Sequence, residues 1–395
     1  MTTKKRIYLM VILIVISLVS LCGCRRSASS NNNTIITNGF NSYSENGMII
    51  YEDGLLAYYD YKTGERSVVC SRPDCTHQKY NSETNPDPSC AAVPPVQTIF
   101  QTAVIINDQL YMFVLPSGIN IMDVYRSDLD GENRVKIGQI NCGGIVDKAI
   151  VYNDFLVFTG EIFVKKDNND VLSGSAFQTR YFSGILNINT LELVYQDEFE
   201  KNRTLQHYYV YNNTLHYYYM DDNVYEIRRV DLSDFSVLEP LLLPMKNNQE
   251  KVFCIIDKGF MYYLTDNPKQ TTSDIRRIDL MSMKEEVFAS DIYIWKGTLL
   301  GINDNYFFIH CYENTDEGEV WKYKVYDSDT KTINECDMFY SEVRTGLAVQ
   351  LINISKDYIL LYKVNEDSQH MSYRYMKIES LINKSYDFVD IDIIY

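Results

Sequence analysis

The hexapeptide Ile106-Asn107-Asp108-Gln109-Leu110-Tyr111 places turn-forming residues between apolar ones, and it decides the fold because the chain repeats it. Related hexapeptides are YNDFLV at 152–157, YNNTLH at 211–216, IDKGFM at 256–261, INDNYF at 302–307 and, more weakly, ISKDYI at 354–359. Asn, Asp, Lys or Gly between two β-branched or aromatic runs is a hairpin signal. Because the copies recur about every 50 residues, the sequence predicts one hairpin unit repeated along the chain.

A second hairpin follows within each period. The segment WKYKVY at 321–326 alternates large apolar residues with lysine, which is typical of a strand with one solvated face. In another period, a polar turn is followed by the short strand-like segment VKIG at 135–138. Two hairpins per period predict a four-stranded sheet.

Small repeated sheets bury both faces only when they stack around a common axis. We therefore predict an all-β fold, a β-propeller of six or seven four-stranded blades, with seven favoured. Residues 48–70 supply the first copy, whose own first strand is not visible in the sequence, so a strand from the far end of the chain could complete the ring. A pair of β-sandwiches is the alternative, but sandwiches do not require a period of about 50 residues.

The first 24 residues are typical of an export signal. Basic residues at 4–6 precede an apolar run over 7–21, which at about 15 residues is short for a membrane span. The sequence LCGC at 21–24 resembles the lipobox of bacterial lipoproteins, which implies that Cys24 is lipidated and becomes the mature N-terminus. Cys22 fits less well, because Leu21 would then occupy a position that requires a small residue. An uncleaved helical anchor is the alternative, and both readings place the body on the outer face of the bacterial cytoplasmic membrane.

Composition divides and bounds the chain. We predict a signal peptide at 1–23, a flexible Ser- and Asn-rich tether at 24–45, and a single propeller domain at 46–395 with a cysteine-rich loop at 70–96. The net charge of −16 disfavours nucleic acid as a partner, because it repels phosphate. Most of the 33 tyrosines are expected to pack on strands.

Three cysteines and one histidine form a candidate metal site within the cysteine-rich loop. Cys70, Cys75, His77 and Cys90 supply three thiolates and one imidazole, a complete tetrahedral set for structural zinc. The surrounding segment is rich in proline and poor in apolar residues, so a metal would hold it in place. The alternatives are a disulfide among Cys70, Cys75 and Cys90, because exported chains meet oxidising surroundings, or neither bond.

The other cysteines and histidines stand in or beside strand-like runs and are expected to pack rather than react. They are Cys142, Cys254, Cys311, Cys336, His207, His216, His310 and His370. The chain lacks the Gly-x-Ser-x-Gly motif of serine hydrolases. The adjacent carboxylates Asp221-Asp222 and Glu285-Glu286 would point to opposite faces of a strand, so they do not form an acid and base couple. We assign no catalytic residue.

A family resemblance adds to these patterns. The stretch DLDGEN at 128–133 resembles the strand-turn motif of TolB-like β-propellers. The segments YDYKTG at 59–64, CSRPDCTH at 70–77 and SCAA at 89–92 look like the opening of uncharacterised propeller lipoproteins of Gram-positive anaerobic bacteria. The resemblance implies a fold and a location but supplies no activity.

The function that these patterns favour is a non-catalytic binding module. We predict a monomeric, membrane-anchored lipoprotein that binds a glycan, a peptide or an envelope protein, with loops beginning near Asp167 and Asn267 as candidates for specificity. One alternative is a carbohydrate-active enzyme, a hydrolase or lyase whose carboxylates converge from several blades. Another is a structural or assembly protein of the envelope.

Overall fold

Seven antiparallel sheets follow one another along the described part of the chain, each built from consecutive strands. The computed structural model describes residues 36–38, 41–165, 177–199, 204–220, 224–244, 254–267, 272–315, 318–335, 349–354, 357–364, 371–383, 385 and 387–393. The sheets form a ring, so the protein is a seven-bladed β-propeller, and both the predicted fold class and the favoured blade number are confirmed. Among the described residues, no helix is long and apolar enough to cross a membrane.

The blades are numbered in chain order, and the first three contain the strands up to Phe199. Blade 1 holds β1 (Ile36–Asn38), β2 (Asn41–Tyr43), β3 (Gly47–Glu52), β4 (Leu55–Asp60) and β5 (Arg66–Val68). Blade 2 holds β6 (Ile99–Ile106), β7 (Gln109–Leu115), β8 (Met122–Ser127) and β9 (Val135–Ile140). Blade 3 holds β10 (Gly144–Tyr152), β11 (Phe155–Lys165), β12 (Phe177–Asn187) and β13 (Glu192–Phe199).

The remaining four blades have four strands each. Blade 4 holds β14 (Thr204–Tyr211), β15 (Thr214–Met220), β16 (Val224–Asp231) and β17 (Val237–Pro244). Blade 5 holds β18 (Ile255–Asp257), β19 (Phe260–Asn267), β20 (Thr272–Asp279) and β21 (Glu285–Ile292). Blade 6 holds β22 (Trp295–Asn303), β23 (Tyr306–Thr315), β24 (Gly318–Asp327) and β25 (Thr332–Glu335). Blade 7 holds β26 (Val349–Ile354), β27 (Tyr358–Val364), β28 (Met371–Lys377) and β29 (Val389–Ile393), with helix α1 (Ile378–Ile382) before the last strand.

The repeated hexapeptides form the turn between the first and second strands of blades 2 to 7. Asn107 and Asp108 have φ of 50° and 59°, and Asn212 and Asn213 have φ of 47° and 58°. Two successive residues at positive φ make the hairpin turn that matches the twist of a sheet, and Asn and Asp tolerate this conformation better than most residues do. The local sequence therefore determines these hairpins.

A second turn recurs between the third and fourth strands of several blades, and we call it the C–D turn. In blades 4 and 5 the carboxylates of Asp231 and Asp279 accept hydrogen bonds from backbone amides two residues later, at 2.8 Å in each case. The turn then ends on a residue at positive φ, which is Phe235 at 60° in blade 4 and Met283 at 58° in blade 5. Hydrogen bonds of this kind, from backbone amides to an Asp side chain, stabilise the turn conformation.

Blade 1 corrects one expectation from the sequence. The strand that the sequence did not reveal is β2, which immediately precedes β3 in the chain. A fifth strand, β1, pairs with β2 at the edge of this sheet and contacts β10 of blade 3. Within the described residues, no sheet contains a strand from the far end of the chain, so the expectation of a borrowed strand is wrong. The sequence did not predict β2 because a strand of only three residues, Asn41–Tyr43, gives too short a pattern. Both β1 and β2 precede the domain boundary predicted at residue 46.

Side chains close the ring between blades 7 and 1. Tyr43 and Ile50 pack in one buried cluster with Leu360 and Tyr373. The Tyr43 hydroxyl donates to the Tyr373 hydroxyl at 3.2 Å, and Asn41 Nδ2 donates to the same hydroxyl at 3.1 Å. The prediction that tyrosines pack on strands is confirmed for these residues. Ring closure therefore depends on packing and on buried hydrogen bonds.

Candidate metal centre

The cysteine-rich loop connects β5 to β6 and is anchored at both ends in the core between blades 1 and 2. Cys70 at one end and Cys90 at the other belong to the same buried cluster as Leu56, Phe100 and Met112. The backbone also ties the loop to β4, because the Leu56 amide donates to the Ala92 carbonyl at 2.9 Å and the Val69 amide donates to the Leu56 carbonyl at 2.9 Å. The middle of the loop lies outside the core and is largely exposed.

The four predicted ligands come together at the base of this loop. One ligand atom from each of Cys70, Cys75, His77 and Cys90 lies within 4.8 Å of every other. Cys90 Sγ is 3.6 Å from His77 Nδ1, and the His77 amide donates to Cys75 Sγ at 3.4 Å. Tetrahedral zinc with bonds of about 2.0–2.3 Å separates its ligand atoms by roughly 3.5–3.8 Å. The cluster therefore fits a metal of this size with small side-chain movements.

The burial of the cluster is uneven. Cys70 and Cys90 are buried, whereas Cys75 and His77 are half-buried. His77 has a φ of 51°, a conformation that histidine adopts more often than most residues, and this turn directs its ring back toward Cys90. Two ligands thus come from buried loop ends and two from a tight turn between them.

The pKa values of the two buried thiols are shifted in opposite directions. Burial opposes ionisation of Cys70, but hydrogen bonds from the Arg72 and Ala91 amides and from the Cys75 and Cys90 thiols outweigh it and lower the Cys70 pKa. Burial raises the pKa of Cys90 to about 12, and the neighbouring sulfurs add to this effect. Thiolates crowded together repel one another, and a divalent cation removes that penalty. The donor set therefore suits a cation.

Blade 2 contacts the cysteine-rich loop through the turn at 128–134. The Ser71 hydroxyl donates to Asp130 Oδ2 at 2.6 Å, and Arg72 donates from Nε and Nη2 to the two oxygens of Glu132 at 2.7 and 2.9 Å. Arg134 donates to the Val93 carbonyl at 2.5 Å and also to the Ala91 carbonyl. A bidentate Arg–carboxylate pair fixes geometry as well as adding energy. We call this set of contacts the blade 2 clamp.

Sequence reasoning did not find the clamp. Arg72 and Glu132 are 60 residues apart, so no spacing rule joins them. The available signal was the DLDGEN stretch itself, whose Gly131 has a φ of 78°. A Cβ on Gly131 would lie 2.7 Å from the Val69 carbonyl oxygen and 2.8 Å from that of Ala91, so the turn needs glycine to approach the loop.

Of the other predicted packing residues whose side chains are described, all are buried except His310, which is half-buried. Cys142, Cys254 and Cys311 are buried, as predicted. His216 is buried with Nδ1 3.1 Å from the Thr214 carbonyl, and the His310 ring stacks on Tyr323 at 4.6 Å between centroids. Burial lowers the pKa of each histidine to about 4. His207 lies in β14.

The adjacent acids Glu285 and Glu286 bind different partners. Glu285 accepts from Arg276 at 2.7 Å and from the Tyr263 hydroxyl at 2.6 Å, whereas Glu286 pairs with Arg277. They do not face one another across a cleft. Several predicted residues lie outside the described part of the chain, namely Cys22, Cys24, Asp167, Asp221, Asp222, Cys336 and His370, while Asn267 ends β19.

Comparisons with known proteins give structural similarities of low sequence identity. No protein-family model matches the chain, and no curated protein matches it in sequence. The solved structures it resembles include a prolyl endopeptidase, at TM-score 0.49 and 9% identity over 92% of this chain and 50% of the other. BamB from Moraxella catarrhalis matches at TM-score 0.41 and 11% identity over 91% and 92% of the two chains.

The propeller domain of the trilobed protease from Pyrococcus furiosus matches at TM-score 0.46 and 9% identity, over 76% of this chain and 85% of that one. The chain spans about half the length of the prolyl endopeptidase. At these scores and identities the likeness says nothing about activity. The assignment to the β-propellers rests on the order of the strands in the chain itself.

Proposed function

We propose that this protein is a TolB-like propeller lipoprotein, anchored through Cys24 on the outer face of the bacterial cytoplasmic membrane, that acts as a non-catalytic binding module. Its cysteine-rich loop is held by a structural zinc ion. The observation that carries the zinc assignment, and with it an ordered loop for binding, is the convergence of four ligand atoms within 4.8 Å of one another at the base of a loop that packs on two blades.

A site with four protein ligands has no open position for a substrate or an activated water, which is the mark of a structural zinc ion. Metal binding to the folded loop stabilises the folded state, so the main effect of such a site is to order the loop. Here that order reaches residues between Cys70 and Cys90, which contain three prolines and contribute few buried side chains. Zinc would thus display an exposed loop of defined shape, and ordered loops on a rigid scaffold commonly carry recognition.

Metal analysis of the full chain, purified without chelator, tests the zinc assignment. We expect about one zinc per chain and none after Cys75→Ser, since removal of one thiolate opens the site. Cys254→Ser, which removes a buried thiol outside the cluster, keeps the zinc. No metal together with one free thiol among Cys70, Cys75 and Cys90 would show a disulfide instead and reject the zinc assignment.

Metabolic labelling with a fatty acid tests the anchor. Several acyl chains contribute enough buried methylene groups for stable attachment, whereas one chain alone binds marginally. We expect label in the full chain and none in Cys24→Ala. Label that persists in Cys24→Ala would reject lipidation at this residue.

Binding is tested with the full chain in detergent against a glycan array and an extract of envelope proteins. Saturable retention of a glycan or a protein, with the ligand recovered unchanged, is the expected result. Cleavage of a glycan at a rate that rises with protein concentration would contradict the proposal and favour the carbohydrate-active alternative.

A further inference from the structure

The C–D turns of blades 3 to 6 end on equivalent residues with the same backbone conformation. Leu191, Phe235, Met283 and Lys331 have φ of 58°, 60°, 58° and 56°. Because the turn geometry is shared, each side chain is directed at the groove beside the preceding blade. Three of the four are apolar and the fourth is a lysine.

The three apolar side chains fill their grooves. Leu191 packs beside β9 of blade 2, where a Cβ on Gly138 would lie 2.5 Å from Leu191 Cδ1. The Phe235 ring meets the Phe155 ring of blade 3 at 5.2 Å between centroids. Met283 packs against the cluster that joins blades 4 and 5, as does Leu241. The chain therefore closes these grooves with its own apolar side chains.

The groove between blades 5 and 6 remains open. A cavity of about 440 Å³ lies there, lined by apolar and aromatic residues that include Phe288, Ile292, Tyr326 and Ile333 and by the polar residues Ser290 and Asp291. Lys331 lines it too, but is itself exposed. The cavity is within the size range of ligand pockets in proteins. A lysine keeps its ammonium group in water, so it leaves unfilled the space that leucine, phenylalanine or methionine occupies in the other grooves.

The rim of the cavity is suited to contact with a protein. Val287 is 47% exposed and Tyr293 is 64% exposed, which places two apolar side chains beside the opening. Lys324 Nζ donates to the Tyr293 carbonyl at 3.3 Å and lies 5.5 Å from the centre of its ring, so the tyrosine is held in place. Lys331 is exposed, which leaves its ammonium group accessible at the rim, and Asp291 adds one negative charge to the same lining.

We infer that the cavity between blades 5 and 6 is an anchor pocket for a partner polypeptide, which inserts one apolar side chain and places an acidic side chain against Lys331. The three grooves that contain Leu191, Phe235 and Met283 show which group fits, since each of these three holds an apolar side chain of a polypeptide. An aromatic or aliphatic anchor buried in a pocket, surrounded by a polar rim, is the usual energetic centre of an interface. The inference deepens the proposed binding function, because it names a site and a class of partner.

Fluorescence anisotropy with a labelled peptide, Gly-Ser-Ser-Phe-Asp-Ser-Gly, tests the pocket on the full chain. We expect saturable binding that weakens by about tenfold or more when the peptide phenylalanine is replaced by serine, and by less when its aspartate is replaced by asparagine. Lys331→Leu restores the residue type of Leu191 and fills the cavity. That variant should lose peptide binding by about tenfold or more while its unfolding temperature rises.

Lys62→Leu is the matched control, because Lys62 is an exposed lysine in the C–D turn of blade 1. It should bind the peptide like the unmodified chain. Equal binding by Lys331→Leu, or no saturable binding of the peptide, would overturn the inference, and equally tight binding of free 3-phenylpropionate would indicate a small-molecule pocket instead. Capture of an envelope protein that survives Lys331→Leu would reject this pocket and leave the proposed binding function standing.

Discussion

At the scale of single residues, glycine at position 131 couples the DLDGEN turn to the cysteine-rich loop. Its positive φ is only part of the requirement, because the loop carbonyls of Val69 and Ala91 also leave no room for a Cβ. The motif that resembles TolB-like propellers thus has a local physical task. It brings the blade 2 clamp close enough to bind the base of the candidate metal centre.

Gly131→Ala is expected to lower the free energy of unfolding by about 2–4 kcal/mol, from backbone strain together with the clash. Gly64→Ala is the matched control, because Gly64 has a similar φ of 72° but a Cβ there would meet its nearest atom at an ordinary 3.4 Å. The control should lose only about 1 kcal/mol. Urea denaturation measures both, and equal losses would show that the close approach to the loop has no energetic weight.

His216 makes stability depend on pH. Its pKa is lowered to about 4 by burial, with repulsion from Arg229 acting in the same direction. Because the unfolded chain binds a proton near pH 6.5 and the folded chain does not, stability is full above pH 6.5 and is lost as the pH falls toward 4. The loss from this group reaches about 3 kcal/mol.

We expect His216→Gln to reduce the fall in unfolding free energy between pH 7.5 and pH 4.5, as measured by urea denaturation at each pH. Replacing Asn189, an exposed residue that does not titrate, with glutamine serves as the control and should keep the original slope. A slope that His216→Gln leaves unchanged would mean that the folded protein protonates this imidazole without cost.

At the scale of elements, the first turn of each blade converts a short sequence into a hairpin. Asn212 has a φ of 47° in the turn between β14 and β15. Asn212→Val should destabilise the protein by about 1–2 kcal/mol, because a β-branched side chain is strained at positive φ. Asn189→Val is the control, since Asn189 lies in an exposed turn and is not at positive φ. Thermal unfolding of the two variants gives the comparison, and equal midpoints would contradict a role for the turn conformation.

At the scale of the whole molecule, the seam between blades 7 and 1 joins the two ends of the described chain. Asn41 and Tyr373, which meet there, are 332 residues apart. Each sheet is formed from consecutive strands, so the seam is held by side chains rather than by a shared strand. Formation of this interface therefore has a large entropic cost of loop closure, because that cost grows with the number of residues between the contacting segments.

Leu360→Ala should therefore open the seam locally. Leu360 is 2% exposed, and its truncation is expected to cost about 2–5 kcal/mol. Hydrogen exchange should rise in β3 and β28, on the two sides of the seam. Leu215→Ala, at a fully buried leucine between blades 3 and 4, should instead raise exchange in β11 and β15. Uniform acceleration in both variants would show that the seam is no weaker than the other interfaces.

The sequence alone determined the features that depend on neighbours in the chain. A period of about 50 residues with an Asn- or Asp-rich hexapeptide predicted the blades, because turn conformation depends on the few residues that form the turn. The spacing of Cys70, Cys75, His77 and Cys90 likewise indicated a metal site. Tertiary structure decided that Arg72 meets Glu132 and that Lys331 faces an open groove. Contacts between remote residues depend on how whole sheets stack against one another, and no local pattern records that packing.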